Sequence, residues 1–188
     1  MDIVGRVKSI LLDPKAEWSK IGTEPGDAGF LFPNYVLIVA AIPPVCTFIG
    51  ATLIGYSGFR IGFGLGIVHA IITYVLSLVM VFVMAYVIDF LAGTFNARKG
   101  LDNAMRVSAY APTAAWVAGV FHLIPFLGVL AILGLYSLYL LHTGIAALMQ
   151  PPADKAVIYT IATIACLVVL MIVFALILGV LGVGMTAM

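Results

Sequence analysis

Residues 107–153 contain no Asp, Glu, Lys or Arg. A wholly helical run of about 47 residues would reach ~70 Å, more than twice the ~30 Å hydrocarbon core of a bilayer. A run of that length has to double back. The stretch LIPFLG at 123–128 supplies the reversal, because proline lacks an amide hydrogen and glycine tolerates unusual dihedrals. Three further charge-free windows, 28–59, 61–88 and 156–188, are each long enough for one crossing.

Lipid must be part of the solvent for such a chain. Of its 188 residues 64% are hydrophobic and 9% charged, with a mean hydropathy of +1.22. Soluble domains carry about 25% charged residues, and fewer cannot cover a water-facing surface. The sequence reads as an all-α integral membrane protein, a five-transmembrane-helix bundle with a short amphipathic cytoplasmic segment at its N-terminus. Residues 1–30 form that segment and 31–188 the membrane domain, with spans at about 33–56, 64–91, 107–123, 127–149 and 156–182. A net charge of +1 without any basic stripe argues against a nucleic-acid partner. Cys46 and Cys166 sit in apolar runs and read as small hydrophobes. The charged N-terminal stretch lacks the long apolar core of a signal peptide.

Basic residues orient the chain, because cytoplasmic flanks are enriched in them. Arg6, Lys8, Lys15, Lys20, Arg98, Lys99, Arg106 and Lys155 fall on one side and Arg60 alone on the other. This places the N-terminus in the cytoplasm and the C-terminus outside, which requires an odd number of spans.

In MDIVGRVKSILLDPKAEWSKI, Ile3, Val7, Ile10 and Leu11 share one helical face. Asp13-Pro14 begins a second helix, aspartate capping and proline entering the first turn, and Trp18 suits the headgroup zone. Two readings stand: a helix lying on the inner leaflet, or a juxtamembrane helix packed on the bundle.

Three blocks, SILLDPKAEWSKI, RVSAYAPTAAWVAGVFHLIPFLG and LYSLYLLHTGIAALMQPPADKAVIYT, resemble the bacterial branch of the Yip1-domain family in order and spacing over nearly the whole chain. The resemblance implies five spans and a cytosolic N-terminus. Eukaryotic members are associated with vesicle trafficking and Rab GTPases, a partner that bacteria lack. His142 stands where the resemblance implies an aromatic, commonly tyrosine.

Polar groups in apolar spans each need an account. Asp89, near the end of span two and beside Arg98, Lys99 and Arg106 in sequence, reads as a structural ion pair or as a coupling carboxylate. His142 lies within reach of Asp89, while His69 and His122 fall near the opposite ends of their spans. A proton relay through these groups is weighed against plain inter-helix hydrogen bonds. Tyr136, Tyr139 and His142 form a polar-edged stripe. Pro43-Pro44 should kink or break span one, a feature of transporter substrate sites but also of passive helices. Ala111, Ala115 and Gly119, like Gly58, Gly62 and Gly66, recur at i, i+4, i+8 and let backbones approach closely. That spacing fits packing within the chain; a homo-oligomer is the other arrangement it allows.

No metal set, phosphate-binding glycine loop or catalytic motif stands out, and no cofactor is implied. The sequence therefore favours a non-enzymatic membrane module that binds other membrane proteins or shapes the bilayer. The alternative is a small-solute or ion permease built on Asp89, His142 and Pro43-Pro44.

Overall fold

Three aspartates punctuate the N-terminal third of the chain. In the computed structural model, which describes residues 2–55 and 60–180, leaving out the side chains of residues 125 and 174–180, each of them caps a helix. Asp2 accepts from Gly5 N at 3.0 Å and starts α1 (Ile3–Leu12). Asp13 accepts from Ala16 N and starts α2 (Pro14–Ile21), with Pro14 in the first turn, where its missing N–H costs nothing. Asp27 accepts from Phe30 N at 2.9 Å and starts the long α3 (Ala28–Ile54).

The remaining elements are α4 (Phe63–Ala92), α5 (Leu101–Tyr110), α6 (Thr113–Ala118), α7 (Phe126–Met149) and α8 (Ala156–Val180). Tight 3-10 turns extend α6 through Gly119–Leu123 and form the first part of α7 up to Leu135. There is no strand among the described residues.

Among the described residues four helices are long and apolar enough to cross a membrane: Ala28–Ile54, Phe63–Ala92, Phe126–Met149 and Ala156–Val173. The expected span at 107–123 is not one of them. Pro112 cannot donate to the carbonyl one turn back, so the chain turns at 111–112 and divides into α5 and α6. Beyond α6, Ile124 adopts extended dihedrals (φ −115°, ψ 112°) and the chain reverses, α7 packing back along α6. The doubling back at LIPFLG is therefore present, although its first arm is a broken helix. Gly58 and residues 181–182, which the sequence reading included, lie outside the described residues.

Pro43 and Pro44 dislocate α3 without ending it. The helix opens into a turn at 40–41 and resumes at once with Ile42–Phe48, while wider π turns occupy Phe32–Val36 and Ile49–Ile54.

Fully buried side chains concentrate at the end of the bundle where α1, α2 and the 93–100 and 150–155 connections meet; this is the polar end below. Ile10, Trp18, Ile21, Tyr35, Ile88, Tyr110, Ile145, Met149 and Tyr159 all show 0% exposure there. Toward the other end α4 and α7 present Phe63, Leu65, Ile71, Phe126, Val129 and Ile132 outward. Apolar surface of this extent is the face lipid covers.

Candidate functional site at the polar end of the bundle

The N-terminal helices complete the core at this end. Trp18 is fully buried, its Nε1 donates to Thr143 Oγ1 at 3.0 Å, and its ring stands edge-on to Tyr110 at 6.4 Å. It lies so close to Gly144 that a Cβ there would be 2.7 Å from the indole. Trp18, expected to face the headgroup zone, is instead enclosed by protein, where its N–H is satisfied and its ring packs. Ile10, also expected at the lipid interface, is likewise fully buried. Ile3, Val7 and Leu11 are partly buried against the same core.

Charge is enclosed with the aromatics. Arg6 binds Glu17 at 2.5 Å and also Glu24, and its guanidinium lies 5.7 Å from the centre of the Tyr110 ring. Lys20 reaches Glu17 at 3.1 Å from the solvent side. Burial works against the arginine's charge, but the hydrogen bond and attraction of Glu24 outweigh it and raise its pKa above the usual arginine value. Arg106 donates to the Glu24 backbone carbonyl and to Asn103 Oδ1. Two segments far apart in sequence are thus tied through one glutamate. Above them Tyr35 stacks obliquely on Tyr110 at 4.5 Å and shares a 2.7 Å hydrogen bond with Thr113.

The polar residues singled out in the sequence take separate partners. Asp89 Oδ1 accepts from Gly100 N at 2.8 Å, a loop-capping role, and the ion pairs among the described residues do not include it. His142 Nδ1 shares a hydrogen bond with Thr160 Oγ1 at 3.0 Å, and His122 Nδ1 faces the Gly119 carbonyl at 3.1 Å. His69 is exposed on α4. Asp89, His122 and His142 thus take separate hydrogen-bond partners, and none of these bonds joins one of them to another. Tyr136 donates to Leu11 O and its ring tilts over Tyr139 at 5.3 Å.

The small residues sit at several kinds of contact. A Cβ at Gly119 would be 2.7 Å from Pro43 Cγ, and one at Gly66 would run into Thr52 and Phe48. Ala115 donates its N–H to Ser137 and Ala111 is buried, whereas Gly62 has open space around it. No group of three His, Cys, Asp or Glu among the described residues could hold a metal ion.

Sequence reasoning missed the Arg6–Glu17–Glu24 cluster and its aromatic lid. Arg6 and Glu17 lie on different helices, either side of the Asp13-Pro14 break, so no single helical period links them. The N-terminal apolar face was visible, but not what it covers.

The described residues form helices and their connections, with four helices long and apolar enough to cross a membrane and two short ones sealing one end, and this arrangement defines a polytopic membrane protein. The Yip1 domain profile matches residues 8–185, and the chain belongs to that family. It is 27% identical over 166 residues to the inner membrane protein YohC of Escherichia coli K12, covering 84% of this chain and 85% of the relative. The YohC of E. coli O6:H1 strain CFT073 matches to the same extent. No solved structure gives a significant match.

Proposed function

We propose that the protein is a non-enzymatic, membrane-organising module of the inner membrane, its bundle acting as a scaffold or adaptor for other membrane proteins. The outward face of α1 supports this reading most directly. Although its inner face is buried in the bundle, Val4 and Leu12 remain 79% and 74% exposed, with Lys8 exposed between them. Residues at i, i+4 and i+8 form one stripe along a helix. An apolar stripe carrying a lysine suits the helix of another membrane protein at the headgroup level. The inner-membrane location is carried over from the name of the E. coli relative. Five crossings with a cytoplasmic N-terminus belong to the same proposal, supported by the reversal at Ile124 and by the distribution of basic residues.

A photo-crosslinking residue at Leu12 in cells tests the proposal. Protein adducts that recur between preparations, and that disappear when Val4→Asp is added, are expected. Adducts to lipid alone would make α1 a membrane anchor and remove the scaffold reading.

A further inference from the structure

The polar end also holds a cavity of about 340 Å³, lined by Trp18, Ser19, Arg98, Asn103, Leu148 and Gln150. That volume falls at the lower end of the ~300–1,000 Å³ typical of small-ligand sites. Its chemistry is one-sided. No carboxylate lines it. Asn103 gives its oxygen to Arg106, so the amide NH2 is what it has left to offer. Ser19 is turned back on the Lys15 carbonyl.

Arg98 is the charged member of the lining. Arg6 and Arg106 are engaged within the protein, whereas the Arg98 guanidinium has no partner among the described residues and is exposed. Its position is nevertheless fixed at the root, because Arg98 N donates to Met149 O at 2.6 Å. The two non-glycine residues with positive φ among the described residues, Asn96 (54°) and Gln150 (48°), flank that hydrogen bond. Backbone held in this sparsely populated region is retained only where its surroundings over-determine it. Here it keeps the arginine loop against the end of α7, while Ala147 and Leu148 give the cavity its apolar part.

We propose that this cavity binds a phosphate ester, with the Arg98 guanidinium and the Asn103 amide donating to the phosphoryl oxygens. A guanidinium fork matches two such oxygens at once, and hydrogen bonds to a charged acceptor are about twice as strong as neutral ones. The site lies where α7 gives way to the PPADK connection, at the boundary between apolar and polar chain. A phospholipid headgroup and a soluble phosphate ester share the required chemistry there.

Two measurements on the full-length protein in phosphatidylcholine nanodiscs separate these sources. One titrates glycerol phosphate and follows its phosphorus NMR line width; the other adds phosphatidylglycerol to the discs and reads retained lipid by native mass spectrometry. Response in the first alone assigns a soluble ligand, and retention in the second assigns a headgroup. In whichever arm responds, Arg98→Gln should weaken binding roughly tenfold, with Arg98→Lys intermediate because lysine binds as a point charge. Asn103→Ala should weaken it several-fold, and Arg98→Gln should leave the thermal midpoint in place. Silence in both arms, or wild-type affinity in both Arg98→Gln and Asn103→Ala, overturns the proposal.

Discussion

Trp18 shows how a single side chain joins the N-terminal segment to the membrane domain. It fills the space above Gly144, bonds Thr143 and meets Tyr110. Trp18→Ala removes all three contacts and should cost about 3–5 kcal/mol. Thr143→Val keeps the packing but removes the hydroxyl that accepts from the indole and donates to the Tyr139 and Leu140 carbonyls, and should cost about 1–2 kcal/mol. Thermal unfolding in detergent checks the ratio, and equal losses would mean that the indole hardly packs. Arg6 contributes differently, since its loss leaves Glu17, whose side chain is 6% exposed, with Lys20 alone. Arg6→Ala should therefore destabilise by about 3–5 kcal/mol, while replacing Arg6 and Glu17 together by Met and Leu should recover most of it. Because Glu24 raises the arginine's pKa, the contribution is complete at neutral pH and is lost only as pH rises through that raised value. Stability measured up to about pH 10 should show no loss from this group. The tryptophan and the apolar face of α1 were legible in the sequence. Their burial was not, since an amphipathic helix has the same pattern whether lipid or protein receives its apolar side.

At the scale of elements, the crossing of α3 with the turns after α6 depends on two glycines that the chain places against backbone. A Cβ at Gly119 would meet Pro43, and one at Gly50 would collide with the His122 carbonyl. Pro43 is held by its ring and His122 O by the main chain, so neither can move aside as a flexible side chain would. Gly119→Leu and Gly50→Val should each destabilise by several kcal/mol, as overpacking does in tight cores. Gly93→Ala, at a position with helical dihedrals and no heavy atom within 4 Å, should be neutral or slightly stabilising. Comparable losses at all three would mean the crossing is not tight. The dislocation of α3 at Pro43-Pro44 and the reversal at 123–128 could both be read from the chain, because proline acts through local covalent geometry. The division at 111–112 has the same local cause in Pro112, but an apolar window masks it: hydropathy counts side chains and not backbone hydrogen bonds. The partners of Asp89 and His142 were hidden for another reason. Gly100 and Thr160 become their neighbours only through tertiary packing.

For the whole molecule, helix length and burial together locate the bundle relative to the bilayer. The 30 residues of α4 reach about 45 Å, half as long again as a ~30 Å hydrocarbon core. The surplus is accommodated by tilt or by projection at one end. Three observations favour projection at the polar end: Asp89 caps a loop there, the ion pairs among the described residues lie there, and α1 and α2 cover the helices there with fully buried Ile10, Trp18 and Ile21. Charges enclosed by protein or touched by water are far less costly than charges facing hydrocarbon. The same end fixes the sidedness of two loops. Because Arg98 N bonds Met149 O, the connections 93–100 and 150–155 share one face of the membrane whatever the absolute orientation. Arg60 lies before the opposite end of α4. In a background with Cys46→Ala and Cys166→Ala, a membrane-impermeant maleimide should therefore label Asn96→Cys and Asp154→Cys from one compartment and Arg60→Cys from the other. The excess of basic residues predicts that intact cells expose only Arg60→Cys and that lysis is needed for the other two. Labelling of Asn96→Cys and Asp154→Cys from opposite sides would break the Arg98–Met149 tie, and with it the shared end on which the cavity, the charge cluster and the N-terminal helices all depend.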